Sequence, residues 1–218
     1  MSFDNGPDPD VTPRVLDILA RLGVTAHFFV LGKQLVTPAG RRLVARARDE
    51  GHQIGNHSFS HATPLGADPR ADAVEQEIAA TEALLAPIVP DPKRFRPPGG
   101  GALGPHLLSP RAVDYLVAHG YSCVLWNSVP RDWLEPDAWA PRALDDCATR
   151  SHTLLVLHDI PGACLAHLEA FITTARGQGM QFVSELPDDC VPIAHGHVMA
   201  DLRAIVVRPA TIERAALD

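Results

Sequence analysis

The sequence predicts an α/β protein whose parallel strands close into a barrel of about seven. Two observations carry this. Short β-branched or aromatic runs alternate with amphipathic segments of about 10 to 15 residues, a pattern that demands right-handed crossovers between parallel strands. Neither a Gly-x-Gly-x-x-Gly turn nor a P-loop follows the first strand, which removes the usual nucleotide-binding reasons for an open, doubly wound sheet.

The elements follow in order. Met1-Ser2-Phe3 is a short apolar strand stopped by the turn cluster Asp4-Asn5-Gly6-Pro7. Thr12 is placed to cap a helix with Pro13 at its first position; Val15, Ile18, Leu19 and Leu22 recur at helical spacing, and Gly23 sits where a terminating glycine belongs. Val24–Val30 reads as a strand, and Thr37-Pro38 opens a helix through Leu43, Val44 and Ala47 to Gly51. Further strands are expected at His52–Asn56, Lys93–Arg96, Tyr121–Trp126, Thr153–Leu157 and Met180–Ser184. Helices are expected between them at Pro69–Leu85, Pro110–His119, Pro141–Arg150 and Leu165–Arg176. The alternation ends near Leu186, so residues 1–186 are expected to form one domain, with 187–218 as its C-terminal extension.

Composition narrows the function. The 218 residues are 46% hydrophobic and 21% charged, enough apolar material for a substantial core and inconsistent with disorder. With 19 Lys+Arg against 26 Asp+Glu, a net charge of -7 and no basic run, the chain is not built to track a phosphate backbone, so no nucleic-acid partner is expected. No apolar stretch approaches the roughly 20 residues of a membrane-spanning helix. The four cysteines are widely spaced without a Cys-x-x-Cys pair and read as buried thiols. The N-terminus carries no export signal, so the chain as written is expected in the cytoplasm, or outside the membrane or in the cell wall if a leader precedes Met1.

In parallel α/β folds, reacting groups gather at the C-terminal ends of strands. Past the expected strands lie Asp4-Asn5, His57 and His61, Arg96, Asp132-Trp133 and His158-Asp159. His57-Ser58-Phe59-Ser60-His61 places two imidazoles on one face at chelating distance, although a polar turn with two surface histidines has the same spelling. Asp4 or Asn5 is available as an oxygen donor, and two nitrogens, one oxygen and an open position suit a catalytic cation. Arg96 reads as the partner of an active-site carboxylate, and His158 as a proton-transfer group near neutral pH. His106, His119, His152, His167, His195 and His197 are assigned to the surface.

Together, Ser2-Phe3-Asp4-Asn5-Gly6-Pro7, His57-Ser58-Phe59-Ser60-His61, Phe95-Arg96-Pro97-Pro98-Gly99, Arg131-Asp132-Trp133 and Leu155-Val156-Leu157-His158-Asp159 resemble the polysaccharide deacetylase family, the NodB-homology or family 4 carbohydrate esterase type. The resemblance runs from Phe3 to about Leu186. It implies a distorted (β/α) barrel and metal-dependent removal of N-acetyl groups from amino-sugar polymers such as peptidoglycan or chitin-like glycans. It also implies roles. Asp4 would be the general base, Asn5, His57 and His61 the ligands of a divalent metal (Zn2+, with Co2+ or Ni2+ as alternatives), and Arg96 the residue orienting Asp4. His158 would protonate the leaving amine, held by Asp132. Pro98, Gly99, Trp133 and Leu157 would contact the substrate, the last two as walls around the acetyl methyl.

Three positions depart from the family pattern. Asn5 replaces an aspartate and trades a charged oxygen ligand for a neutral one, which weakens cation binding. Gly99 stands where a tyrosine is usual, and Val129 where the fourth motif begins with aspartate. A cyclic-imide or ureide amidohydrolase on the same barrel, and a non-catalytic glycan-binding relative, are the alternatives these departures leave open.

Overall fold

The computed structural model describes residues 1–90 and 93–208, so positions 209–218 of the expected extension lie outside the described residues. Six parallel strands, β1 (Ser2–Asp4), β2 (His27–Val30), β3 (Gln53–Asn56), β4 (Arg94–Phe95), β5 (Ser122–Cys123) and β6 (Val156–His158), run side by side in the order β6-β1-β2-β3-β4-β5. An isolated parallel bridge closes the ring, pairing Ser128, beyond β5, with Leu155. Val156 N donates to Ser128 O at 3.0 Å and Ser128 N to Leu154 O at 3.3 Å. The tail returns as a hairpin, β7 (Ile193–Ala194) and β8 (His197–Val198), with Ile193 antiparallel to Cys123 of β5.

One expected strand is absent. Met180–Ser184 is irregular, and its apolar residues are used otherwise. Phe182 packs edge-on against Phe171, and Ser184 O bonds the His27 ring at 2.9 Å. The Ser128–Leu155 bridge already occupies the β6 edge, so the segment has no open ladder to join.

The helices are α1 (Thr12–Leu22), α2 (Gly32–Leu35), α3 (Pro38–Asp49), a π-helical turn Glu75–Ala79 continuing into α4 (Ala80–Leu85), α5 (Pro110–Ala118), α6 (Trp139–Ala148) and α7 (Leu168–Gly177). Their ends obey local chemistry. Gly23 closes α1 at φ 60, a left-handed conformation that favours glycine. Thr37 and Ser109 cap α3 and α5 through Gly40 N and Ala112 N. Thr12 does not cap α1, which has Val11 at that position. Its hydroxyl instead donates to Asp159 Oδ2 at 2.5 Å and accepts from Asp8 N at 2.8 Å.

Alternation along the strands sorts side chains into two layers. Phe3, Phe28, Ile54, Leu155 and Leu157 belong to one core cluster with Leu16 and Leu19 of α1, Val44 of α3 and Ile172 of α7. Phe95 and Cys123 meet Ile78, Ala112 and Leu116 in a second. Phe29, Val124, Leu154 and Cys190 form a third, smaller cluster. Each buried Phe, Leu, Ile or Val among them contributes about 1.5–3 kcal/mol, enough to fix the short strands and aim their ends. Among the described residues, no helix is long and apolar enough to cross a membrane.

Candidate active site

The strand ends converge on one cavity of about 230 Å³, lined by Asp4, Asn5, His57, His61, Trp133 and His158 with Pro97, the glycines 99–101, Trp126, Val129, Val156 and Ile160. Asp4 and His158 are register partners on β1 and β6. The loop after β3 carries His57 and His61, and Arg96 directly follows β4.

Arg96 is wholly buried and sits inside the barrel. One Nη donates to Asp4 Oδ1 and to Ser2 Oγ, both at 2.7 Å; the other reaches Leu125 O at 3.1 Å and Nε reaches Val124 O at 3.3 Å. The guanidinium lies 4.0 Å from the centre of the Phe29 ring. Burial alone would raise the Asp4 pKa, but Arg96 above all, with His57 and His158, outweighs it and holds the carboxyl below its usual range. Asp4 is therefore a buried anion with one oxygen committed to Arg96. Its other oxygen, Oδ2, lies 3.5 Å from His57 Nε2.

His57 Nδ1 is bonded to Arg96 O at 2.8 Å, which fixes the ring and turns Nε2 inward. Burial pushes His57 down to about 4 and also lowers His61, so both rings are neutral at physiological pH, the form that binds metals. Their centroids are 4.9 Å apart. Among the described residues no three His, Cys, Asp or Glu side chains form a metal cluster. The third donor must come from elsewhere, and Asn5 Oδ1 is buried with no hydrogen-bond partner. A buried amide oxygen left unpaired in a residue that lines the same cavity as two neutral imidazoles fits a cation bound by two nitrogens and one neutral oxygen. Asn5 is held at φ 76, a conformation asparagine tolerates better than most residues.

His158 faces the same cavity from a different support. Asp132, fully buried, accepts from the His158 backbone N and from its Nδ1, each at 2.8 Å. Burial lowers the ring's pKa, but the hydrogen bond and charge of Asp132 overcome it, and His158 titrates above its ordinary value. Trp133 packs edge-on against the ring at 4.6 Å. Asp159 points away, accepting from Gly6 N at 3.1 Å, and its burial raises the carboxyl to about 7.

Two expected contacts are corrected. Leu157 is fully buried in the core between sheet and helices rather than on the cavity wall, because Val156 and His158 share the inward face and Leu157 takes the other. Pro98 is buried off the cavity, and its neighbour Pro97 supplies the wall. Trp126, Val156 and Ile160 were not anticipated as wall residues. The even spacing of Val156 with His158 was the signal available for one of them. Gly99 and Trp133 line the cavity as expected. Of the histidines assigned to the surface, His119, His195 and His197 are exposed, while His106, His152 and His167 are half-buried. None of the six lines the cavity.

A closed parallel barrel that gathers an arginine-held carboxylate, an aspartate-held imidazole, two further imidazoles and an unpaired amide oxygen at one mouth defines an α/β-barrel protein with a polar cavity at its strand ends. The model of the polysaccharide deacetylase family matches residues 1–124, and the chain belongs to that family. A peptidoglycan-N-acetylglucosamine deacetylase of Bacillus cereus is 30% identical over 189 residues, covering 84% of each chain. The deacetylase PgdA of Listeria monocytogenes is 31% identical over 186 residues, 84% of this chain but 37% of that protein, so the chain spans well under half of this relative. Among solved structures, a family 4 acetyl xylan esterase from Clostridium thermocellum in complex with a cobalt ion superposes with a TM-score of 0.67 at 30% identity, over 84% of this chain and 85% of that one.

Proposed function

We propose that this chain is a divalent-cation-dependent amide hydrolase that removes N-acetyl groups from amino-sugar polymers of the peptidoglycan or chitin type. The observation that carries the reading is that Asp4 and His158, the first ion-paired with Arg96 and the second hydrogen-bonded through Nδ1 to Asp132, face one cavity that also contains Asn5, His57 and His61.

Asn5, His57 and His61 are the residues that would hold the cation. When bound, it supplies Lewis-acid polarisation of the amide carbonyl and acidifies the attacking water. The protein supplies the rest. Asp4 Oδ2, the oxygen free of Arg96, takes a proton from the water. His158, protonated with Nδ1 bound to Asp132, delivers a proton from Nε2 to the amine nitrogen as the C–N bond breaks. Acetate and a free amine are the products. Trp126, Trp133, Val129 and Ile160 give the acetyl methyl an apolar surround.

The test is acetate release from N-acetylglucosamine oligomers and from peptidoglycan, with Zn2+, Co2+ or chelator, in the wild type and in His158→Ala. Release that needs the cation and His158 supports the reading; no release from either glycan under any metal overturns it. A cyclic imide consumed in preference to both glycans would move the chain to the alternative substrate class.

A further inference from the structure

We propose that Glu77 is a positioning residue for the cation site, acting as a clamp that sets the His57–His61 loop; the inference rests on the metal-dependent reading above. The loop is strained, with Ser58 at φ 70 and His61 at φ 58, and no glycine relieves either position. Something must hold it. Two sources do so, on opposite sides of the same peptide units.

From one side, α2 donates: Gly32 N and Lys33 N bond Ser58 O and Phe59 O, each at 3.0 Å. The approach is so close that a Cβ on Gly32 would lie 2.5 Å from Phe59 Cδ2. From the other side, Glu77 accepts. Its Oε2 takes Phe59 N at 3.1 Å and Ser60 N at 2.8 Å, and its Oε1 takes Ser60 Oγ at 2.7 Å. Glu77 is only 3% exposed, and Arg70 completes its Oε1 at 3.0 Å. It projects from the π-helical turn Glu75–Ala79, a local widening often found where a helix serves a site. Asn56 Oδ1 and Ser58 Oγ accept from Ser58 N and His61 N, so every loop N–H from Ser58 to His61 ends on a side-chain acceptor. A carboxylate accepting two consecutive backbone N–H groups is a strong restraint on the peptide plane between them, and that peptide, Phe59–Ser60, falls between His57 and His61 in the sequence.

The test is Co2+ titration of the full chain by calorimetry and by the visible cobalt absorption, with thermal unfolding of each variant before metal addition. Glu77→Leu, which leaves Phe59 N and Ser60 N without an acceptor, is expected to raise the Co2+ Kd by about 10- to 100-fold, the usual cost of losing an outer support of a metal ligand, and to alter the cobalt spectrum. Glu77→Gln, which keeps one carbonyl oxygen at the position of Oε2, is expected to stay near the wild type, as is Arg70→Ala. Glu77→Asp retains the charge but withdraws the acceptor by one methylene, and is expected to weaken binding even if Glu77→Leu fails to fold. Wild-type Kd and spectrum in folded Glu77→Leu, or in Glu77→Asp where Glu77→Leu does not fold, overturn the clamp. A wild-type chain that binds no Co2+ overturns the cation reading itself, and the clamp with it.

Discussion

Asp4 and His158 are paired across adjacent parallel strands, each the last residue of its strand. A one-residue slip between β1 and β6 would send one of them to the opposite face of the sheet. Register alone therefore places the carboxylate and the imidazole at one mouth, and their pKa values are shifted by separate supports, Arg96 and Asp132.

The acid's support is testable by pH. In the proposed mechanism His158 acts protonated, and Asp132 raises its pKa, so activity is expected to persist to higher pH than a free imidazole would allow. Asp132→Asn is expected to move the alkaline limb of kcat/KM to lower pH and to leave the acidic limb in place. His158→Ala is expected to lower kcat by about 10²–10⁴-fold. An unmoved alkaline limb in Asp132→Asn would refute the assignment.

The base's support is testable by stability. Asp4→Ala leaves a fully buried guanidinium without its anion, a loss of about 3–5 kcal/mol in urea unfolding. Because the folded pKa of Asp4 is depressed, its contribution is present above the ordinary carboxylate range and is lost as pH falls through the depressed value. Asp4→Asn is expected to remove that part of the acid dependence.

Asp159 has the opposite sign. Its carboxyl is raised from 3.8 to about 7 by burial, so the folded state holds its proton more tightly than the unfolded chain. Stability from this group is present below pH 4 and declines as pH rises towards 7. Asp159→Asn keeps an acceptor for Gly6 N and is expected to flatten that decline in denaturation curves measured between those values.

Asn5→Asp adds a full negative charge to the donor set at a backbone conformation aspartate also tolerates. The Zn2+ or Co2+ Kd measured by calorimetry is expected to fall at least tenfold, and equal affinities would argue that Asn5 is no ligand.

Gly99 resists conversion to the family's tyrosine. A Cβ there would lie 2.5 Å from Leu107 Cδ2 and 2.7 Å from the Trp126 ring. Gly99→Ala is expected to cost about 1–3 kcal/mol in thermal unfolding, and Gly99→Tyr more, because the flat indole has little freedom to move aside.

Much of this was legible from residue order. Strand-end placement located Asp4, His57, His61, Arg96, Asp132 and His158, since in parallel folds topology does the gathering. What failed was finer. The family resemblance implies Leu157 as a wall residue, but adjacent strand residues face opposite sides, and Val156 and His158 take the cavity face. Met180–Ser184 has strand composition but meets an edge already taken, which no local pattern reveals. Glu77 looked like any acidic residue on a helix, and its partners at residues 59 and 60 lie 17 or more positions away.

The Arg96–Asp4 pair also constrains how this lineage can change. A descendant that discards the carboxylate while keeping the arginine inherits an uncompensated ion at the centre of its barrel. Retirement from chemistry thus requires both positions to change together, or a new anion nearby, and sequences caught between the two states should be scarce.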